Sequence, residues 1–403
     1  MQPPLSSDIV VAGTGPAGLI AALAFARQGF SVALAGPAVR ADDLRTTALM
    51  TPAIAYLEEL GVAAAIAAEA APLAVMRIVD GTGRLFRSPT VTFRAAEIGE
   101  AHFGLNVPNA ALNRVLDAAV RATPGIARHE ALAERWTLGG DEAEAALSDG
   151  SAVSGRLAVA ADGRASPARS AAGIETNAAP YRQAALVLSF GHAREHGGVS
   201  NEFHTPAGPF TQVPLPGDRS SLVWVCSPAE AEALAALDDQ ALSRRIEARM
   251  GSLLGKVTVE PGRQVYPLAA GLPTHFARNR VALVGEAAHL IPPIGAQGLN
   301  LGIRDVQELV DIADKSRTDP GSPDALATYD RRRRPDILAR SGAVDLLNRS
   351  LLSDLLPAQL LRSAGLGLLG ASAPLRAFFM REGLRSGSGF RGLVEDLRVK
   401  VRR

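Results

Sequence analysis

Apolar residues along this chain fall into two patterns. Ile9-Val10-Val11-Ala12, Val32-Ala33-Leu34-Ala35, Leu157-Ala158-Val159-Ala160-Ala161 and Val281-Ala282-Leu283-Val284 are continuous short runs. Such runs predict strands buried on both faces. Other stretches carry apolar residues at helical spacing. Leu19–Arg27 is rich in Ala and Leu, and Ile54 to Leu60 predicts a helix stopped by Gly61. Val62–Ala71 reads as a further Ala-rich helix. Asn109–Val120 places Leu112, Val115, Leu116 and Ala119 on one face, and Leu299–Ile312 is another helix. Short strands are predicted at Met76–Val79, Leu85-Phe86 and Val91–Phe93, with a turn at Asp80-Gly81. Small hairpins are predicted between Trp136 and Val153. From Ala184 to Phe276 the pattern is mostly strand, as at Leu186–Leu188, Phe210–Val213 and Leu222–Val225, with one helix over Glu230–Met250. The tail from Ala343 to Arg403 reads as helical and rich in Leu and Arg, and no internal repeat is visible. The whole predicts an α/β chain with a second, sheet-based part.

The first run, a turn and the next helix form one functional stretch, Asp8 to Gly18. Gly13, Gly15 and Gly18 fit G-x-G-x-x-G, and Pro16-Ala17 opens the helix. The first glycine permits the tight turn, the second lets the backbone approach a pyrophosphate, and the third lets helix and strand pack closely. Phosphate then meets free N–H groups and the positive end of the helix dipole. With the strand at Ser31–Ala35 this completes a βαβ unit. The pattern wants an acid at the end of that second strand for ribose hydroxyls. Gly36 stands there. Asp42 and Asp43 follow a few residues later, either as a solvated loop or as substitutes.

Composition narrows the class. The 403 residues are 47% hydrophobic and 21% charged, enough for two globular domains with a core. A net charge of +1 argues against a dedicated nucleic-acid binder. Cys226 stands alone and reads as a buried small hydrophobe in a reducing compartment. Met1–Ser7 lacks the pattern of a signal peptide, and no run approaches the ~18 apolar residues of a membrane span. The reading is a cytoplasmic protein, free or bound at the inner face of the membrane. No Ser/His/Asp triad and no metal-ligand cluster is visible, so no metal is assigned. His289 reads as a packed structural residue, His102, His192 and His204 receive no role, and Arg331–Arg334 reads as a solvated helix face.

A last stretch joins a buried strand to Gly285-Glu286, an apolar loop through Pro292 and Pro293, and a helix opening at Gly298. A carboxylate at a strand end accepts hydrogen bonds from sugar or ribitol hydroxyls. The N–H groups at the helix start favour negative charge on a bound ring. With Asp162-Gly163-Arg164-Ala165-Ser166 followed by Arg169, these motifs in this order resemble the single-component FAD-dependent aromatic hydroxylases of the p-hydroxybenzoate hydroxylase type. The likeness covers almost the whole chain. Glu286 departs from the usual Asp. Arg45-Thr46-Thr47-Ala48-Leu49, Val107-Pro108-Asn109, Gly208–Pro216, Ala296–Gly302 and Asp345-Leu346-Leu347-Asn348-Arg349 resemble the ubiquinone-biosynthesis branch.

That resemblance implies a fold and a chemistry. The fold is a Rossmann-like FAD-binding domain made of residues 1–72, 98–178 and 276–340. Residues 73–97 and 179–275 form a sheet-based substrate domain, and 341–403 a helical C-terminal region. FAD would be reduced by NADH or NADPH and would react with O2 to a C4a-hydroperoxide that hydroxylates a polyprenyl phenol. The implied cofactor residues are Gly13, Gly15, Pro16, Ala17, Gly18, Arg45, Asn109, Asp162, Glu286, Gly295, Gln297, Gly298, Leu299 and Asn300. Pro292, Pro293 and Gly295 would shape the ring pocket, with no side chain assigned as acid or base. Asn109 reads equally as a helix cap. The leucine- and arginine-rich tail suits peripheral docking on a membrane, a biosynthetic complex or a second copy of the chain. Alternatives are a flavin hydroxylase or epoxidase for another aromatic or isoprenoid substrate, and a redox-silent lipid-binding chaperone of the same fold. A halogenase is disfavoured, because neither Trp136 nor Trp224 sits in a W-x-W-x-I-P pattern.

Overall fold

The structure, a computed structural model, describes residues 4–40, 42–82, 88–292, 298–352 and 356–384. Its first sheet has eight strands. Six run in the order Ala277–Arg278, Val281–Leu283, Ala152–Ala160, Leu5–Ala12, Val32–Ala35, Ile126–His129, and Glu142–Leu147 and Ala133–Gly139 add a hairpin. Leu5–Ala12 is parallel to both neighbours, with Val10 opposite Ala158 on one side and Ala33 on the other. Ile9, Val10 and Val11 are fully buried, as a strand covered on both faces requires. The parallel strands therefore end together. Gly13, Gly36, Asp162 and Gly285 all emerge at one edge, the place where open α/β sheets bind ligands.

The second sheet has seven strands, in the order Val257–Pro273, Thr176–His192, Arg219–Cys226, Gly208–Leu215, Val199–Thr205, Val75–Asp80, Val91–Arg94. One face buries Leu186, Leu188, Phe190, Phe210, Leu222 and Trp224 under two helices. The sequence predicted one helix there. The structure has Pro228–Ala235 and Asp239–Arg249, because the Asp238 side chain accepts the Ala241 N–H at 2.7 Å and starts a new helix. The other face meets the first part of the molecule. Thr46 and Ser221 hydroxyls lie 3.0 Å apart, and the Asn106 side chain donates to the Pro214 carbonyl at 2.8 Å.

A third, three-stranded sheet joins Thr46–Met50, Gly104–Pro108 and Ala71–Pro72. The sequence did not reveal it, and it shortens the expected helix over Val62–Ala71 to Ala63–Ala67. The predicted strand at Leu85-Phe86 lies outside the described residues. The helix Gly298–Lys315 starts where expected and runs a turn further. Beyond it, the helix Pro323–Leu352 passes without interruption through position 340, where the sequence reading divided the chain. Leu356–Ala371 and Ala373–Leu384 follow. Among the described residues, no helix is long and apolar enough to cross a membrane.

Candidate active site

At the shared sheet edge the three glycines meet different surroundings. Gly13 has φ +109°, and a Cβ there would lie 2.2 Å from the Ala161 carbonyl oxygen. A Cβ on Gly18 would lie 2.0 Å from the Gly13 carbonyl oxygen. These two glycines are required by protein contacts. Gly15 is exposed and has nothing within 4 Å of its Cβ position, so its backbone is open to approach. Gly15 is also the N-cap of the helix Pro16–Arg27, with no side chain capping it and no acid in the first turn. The first turn, with Ala17 and Gly18, is left as an anion seat.

Asp162 follows Ala161 directly. Its Oδ2 accepts the Ala168 N–H at 3.3 Å, whereas its buried Oδ1 has no partner. Burial pushes its carboxyl above the ordinary range, against opposing hydrogen bonds from Ser166 and Ala168. Buried Arg169 donates to the carbonyls of Ala287 (3.0 Å) and Arg164 (2.5 Å), tying this turn to the Glu286 segment.

Glu286 is half exposed and lies between two cations. Arg164 is 3.2 Å from one of its oxygens and Arg45 is 3.7 Å from the other. Arg45 also pairs with Asp43 at 2.7 Å, and its guanidinium stands 5.3 Å over the Tyr266 ring. Burial alone would raise the Asp43 carboxyl, but Arg45 and Asn109 outweigh it and hold it below the usual range. Asn109 does not cap its helix. Its amide donates to Asp43 at 3.1 Å and accepts from the Thr47 hydroxyl at 2.7 Å. Asp42 is exposed and paired with Arg40.

Asn300 is buried, and its side chain locks the start of the helix Gly298–Lys315 to the strand Thr46–Met50. It accepts the Met50 N–H at 2.9 Å and donates to the Ala48 carbonyl at 2.7 Å. Gly298 is exposed with open space at its Cβ position, and Leu299 is half-buried. Pro292 is buried; Pro293, Gly295 and Gln297 lie outside the described residues.

Comparison with known proteins shows the family. The model of the FAD binding domain family matches residues 6–339. This chain belongs to the FAD-binding-domain family. It is 35% identical over 390 residues to ubiquinone hydroxylase UbiL of Rhodospirillum rubrum, covering 94% of this chain and 89% of that protein. It is 30% identical over 382 residues to the 3-demethoxyubiquinol 3-hydroxylase of Escherichia coli K12, covering 89% and 94%. The crystal structure of p-nitrophenol 4-monooxygenase PnpA from Pseudomonas putida DLL-E4 shares the fold, with a TM-score of 0.78 at 20% identity, covering 94% of this chain and 98% of that one. The chain is an FAD-dependent hydroxylase.

The geometry fits FAD. An open phosphate seat, a buried unpartnered carboxylate oxygen on Asp162 and two arginines around Glu286 lie on turns that leave the same sheet edge. In this hydroxylase the arginine run on the long helix is not a uniform solvated face. Arg331 and Arg332 are exposed, but Arg333 is 5% exposed and donates to the fully buried Asp305 at 2.8 Å. Asp305 also meets His289 Nε2 at 2.6 Å and accepts the Gly285 N–H at 3.2 Å. His289 is thus a packed residue that holds the turn before the loop. Three contributors had escaped the sequence reading. Arg164 directly follows the Asp162-Gly163 pair. Asp305 sits on the buried face of the helix that Asn300 starts. Thr14 lies between two glycines, and only its spatial neighbours reveal it: it is buried, and its hydroxyl donates to the Pro37 carbonyl at 2.7 Å.

Proposed function

We propose that this chain hydroxylates the aromatic ring of a polyprenyl phenol on the route to ubiquinone, using NADH or NADPH as electron donor and O2 as oxygen source. The observation that carries this is the near full-length likeness to two hydroxylases named for ubiquinone and demethoxyubiquinol. When bound, FAD supplies the redox chemistry that activates O2. The chain's own residues bind, orient and exclude water. The turn Gly13–Gly18 would receive the pyrophosphate, with Arg45 and Arg164 offsetting its charge. Glu286 and Asp162 would accept from ribitol hydroxyls. The N–H groups from Gly298 to Asn300 would face the ring system and favour charge on it. The second sheet turns Ala185, Val187, Val223, Val225 and Leu268 toward the cofactor part, with Tyr266 beside Arg45. That apolar wall suits a phenol with a hydrocarbon chain. The division into a cofactor domain and a substrate domain at the boundaries given above is part of this proposal.

Peripheral membrane association belongs to the same reading. Leu346, Leu368 and Phe379 on the last three described helices are 71%, 60% and 51% exposed, which suits a surface that collects its substrate from a bilayer. Two measurements test the function. Purified protein should carry or take up FAD and oxidise NAD(P)H in the presence of a polyprenyl phenol. Deletion of the gene should make an under-hydroxylated polyprenyl phenol accumulate. Unchanged ubiquinone in a deletion strain without a second such hydroxylase removes the ubiquinone assignment, and protein that cannot be reconstituted with FAD removes the enzyme reading.

A further inference from the structure

The end of the second strand and the nucleotide turn are locked together where a ribose-binding acid is wanted. A Cβ on Gly36 would lie 2.8 Å from Thr14 Cγ2, 2.9 Å from its Oγ1 and 3.0 Å from its backbone nitrogen. Thr14 is buried, and its hydroxyl donates to the Pro37 carbonyl at 2.7 Å. A side chain at position 36 would therefore have to displace the Thr14 side chain and break its hydrogen bond to Pro37. The two acids next along the chain are committed elsewhere, Asp42 to Arg40 and Asp43 to Arg45 and Asn109.

A cation approaches the same segment from the neighbouring edge strand Ile126–His129. Arg128 donates to the carbonyls of Gly36 (2.9 Å), Pro37 (2.8 Å) and His129 (2.6 Å). Its side chain is 9% exposed, and the nearest acid, Asp117, is 3.9 Å away. One guanidinium fork therefore fixes the main chain that leaves the second strand. Without it, these carbonyls would lose a charge-assisted donor and the segment its shape.

We propose that this chain seats the adenosine ribose of FAD without a carboxylate: Thr14 and Gly36 interlock in the acid's place, and Arg128 is the positioning residue that holds the Gly36–Pro37 main chain to the ribose. The inference rests on the reading of this edge as an FAD site. It has a chemical consequence. A carboxylate accepting from the ribose hydroxyls makes affinity depend on them, because removing a partner leaves a polar group unpaired. A seat without the carboxylate lacks that dependence.

The test measures flavin binding by fluorescence quenching on the full chain stripped of flavin. Arg128→Met should weaken FAD at least about tenfold while changing FMN, which has no adenosine, by less than about twofold. The thermal midpoint without flavin separates this from misfolding. Gly36→Glu alone should bind FAD poorly, and Thr14→Ala/Gly36→Glu should recover most of the loss. On the wild-type protein, 2′-deoxyribose FAD should bind within about threefold of FAD, a readout that needs no variant to fold. FAD affinity unchanged in Arg128→Met, or Gly36→Glu binding like wild type, overturns the seat. So does a loss of about a hundredfold for the 2′-deoxy analogue. A wild-type chain that binds no FAD overturns instead the site reading on which the seat rests.

Discussion

The glycines of the nucleotide turn answer to two different demands. Gly13 is held by protein contacts and a positive φ, whereas Gly15 faces open space. Gly13→Ala should therefore lower the thermal midpoint of the flavin-free protein, because its Cβ meets the Ala161 carbonyl in a conformation that L-residues avoid. Gly15→Ala should leave that midpoint within about 2 °C and weaken FAD at least about tenfold, because its methyl enters the phosphate seat. Equal effects of both on stability would refute the distinction. The spacing of the glycines and the division of labour among them were legible in the sequence; the atoms that enforce it at Gly13 were not, because they come from Ala161, remote in the chain. Asp162 makes a second case. Burial raises its carboxyl above the usual 3.8. A carboxyl raised by folding destabilises the native state once it ionises, so its cost is present at neutral pH and vanishes below the unfolded value. Asp162→Asn should raise the midpoint of flavin-free protein at pH 7, and the gain should disappear toward pH 4 and below. The same variant should bind FAD more weakly. A gain that persists at low pH would show that the charge is not its cause.

Single elements were legible where burial dictates composition. The continuous runs at Ile9–Ala12 and Val281–Leu283 are covered on both faces, and the stripe Leu112–Leu116 packs its helix on the core. Thr46–Met50 and Gly104–Pro108 were not legible. Their pairing depends on close approach at Gly104, where a Cβ would meet the Leu49 carbonyl oxygen at 2.1 Å, and local propensity does not encode that. The helix Gly298–Lys315 was visible as a stripe, but what locks it was not. Asp305 on its inner face joins His289, on the turn after the strand Val281–Leu283, to Arg333 on the next helix. Burial works to raise the Asp305 carboxyl, but His289 and Arg333 outweigh it and hold it below the usual range. Its stabilisation is therefore full above 3.8 and is lost as pH falls through the lower folded value. Arg333→Met leaves that carboxylate, in a fully buried position, with the hydrogen bonds from His289 and the Gly285 N–H and no guanidinium. It should cost about 3–5 kcal/mol in urea unfolding at neutral pH, as removal of one partner from a buried pair does. A cost under about 1 kcal/mol would mean that His289 and the Gly285 N–H together satisfy Asp305.

Across the whole molecule, the second sheet packs on the cofactor part, and the remaining helices bear on the proposed route of substrate. The second sheet touches the cofactor part through Thr46–Ser221, Leu44–Gln264, Asn106–Pro214 and Arg45–Tyr266. Those contacts surround Arg45, so the apolar wall of the sheet and the cation proposed to face the flavin are set by the same interface. A polyprenyl phenol concentrates in bilayers, whereas no described helix can carry this chain across one. The proposed peripheral docking would deliver the phenol by surface contact, and the exposed apolar side chains Leu346, Leu368 and Phe379 are the described candidates for that contact. Leu346→Glu, Leu368→Glu and Phe379→Glu combined remove three apolar contacts and add repulsion from anionic lipid. Cosedimentation with vesicles containing anionic lipid should fall at least about tenfold. Turnover of a polyprenyl phenol presented in those vesicles should fall in parallel, and turnover of a short-chain phenol in solution should stay within about twofold of wild type. That pattern separates delivery from chemistry, since none of the three residues lines the flavin edge. Loss of both turnovers would place the tail helices in the catalytic fold, and retention of vesicle binding would remove these side chains from any membrane contact.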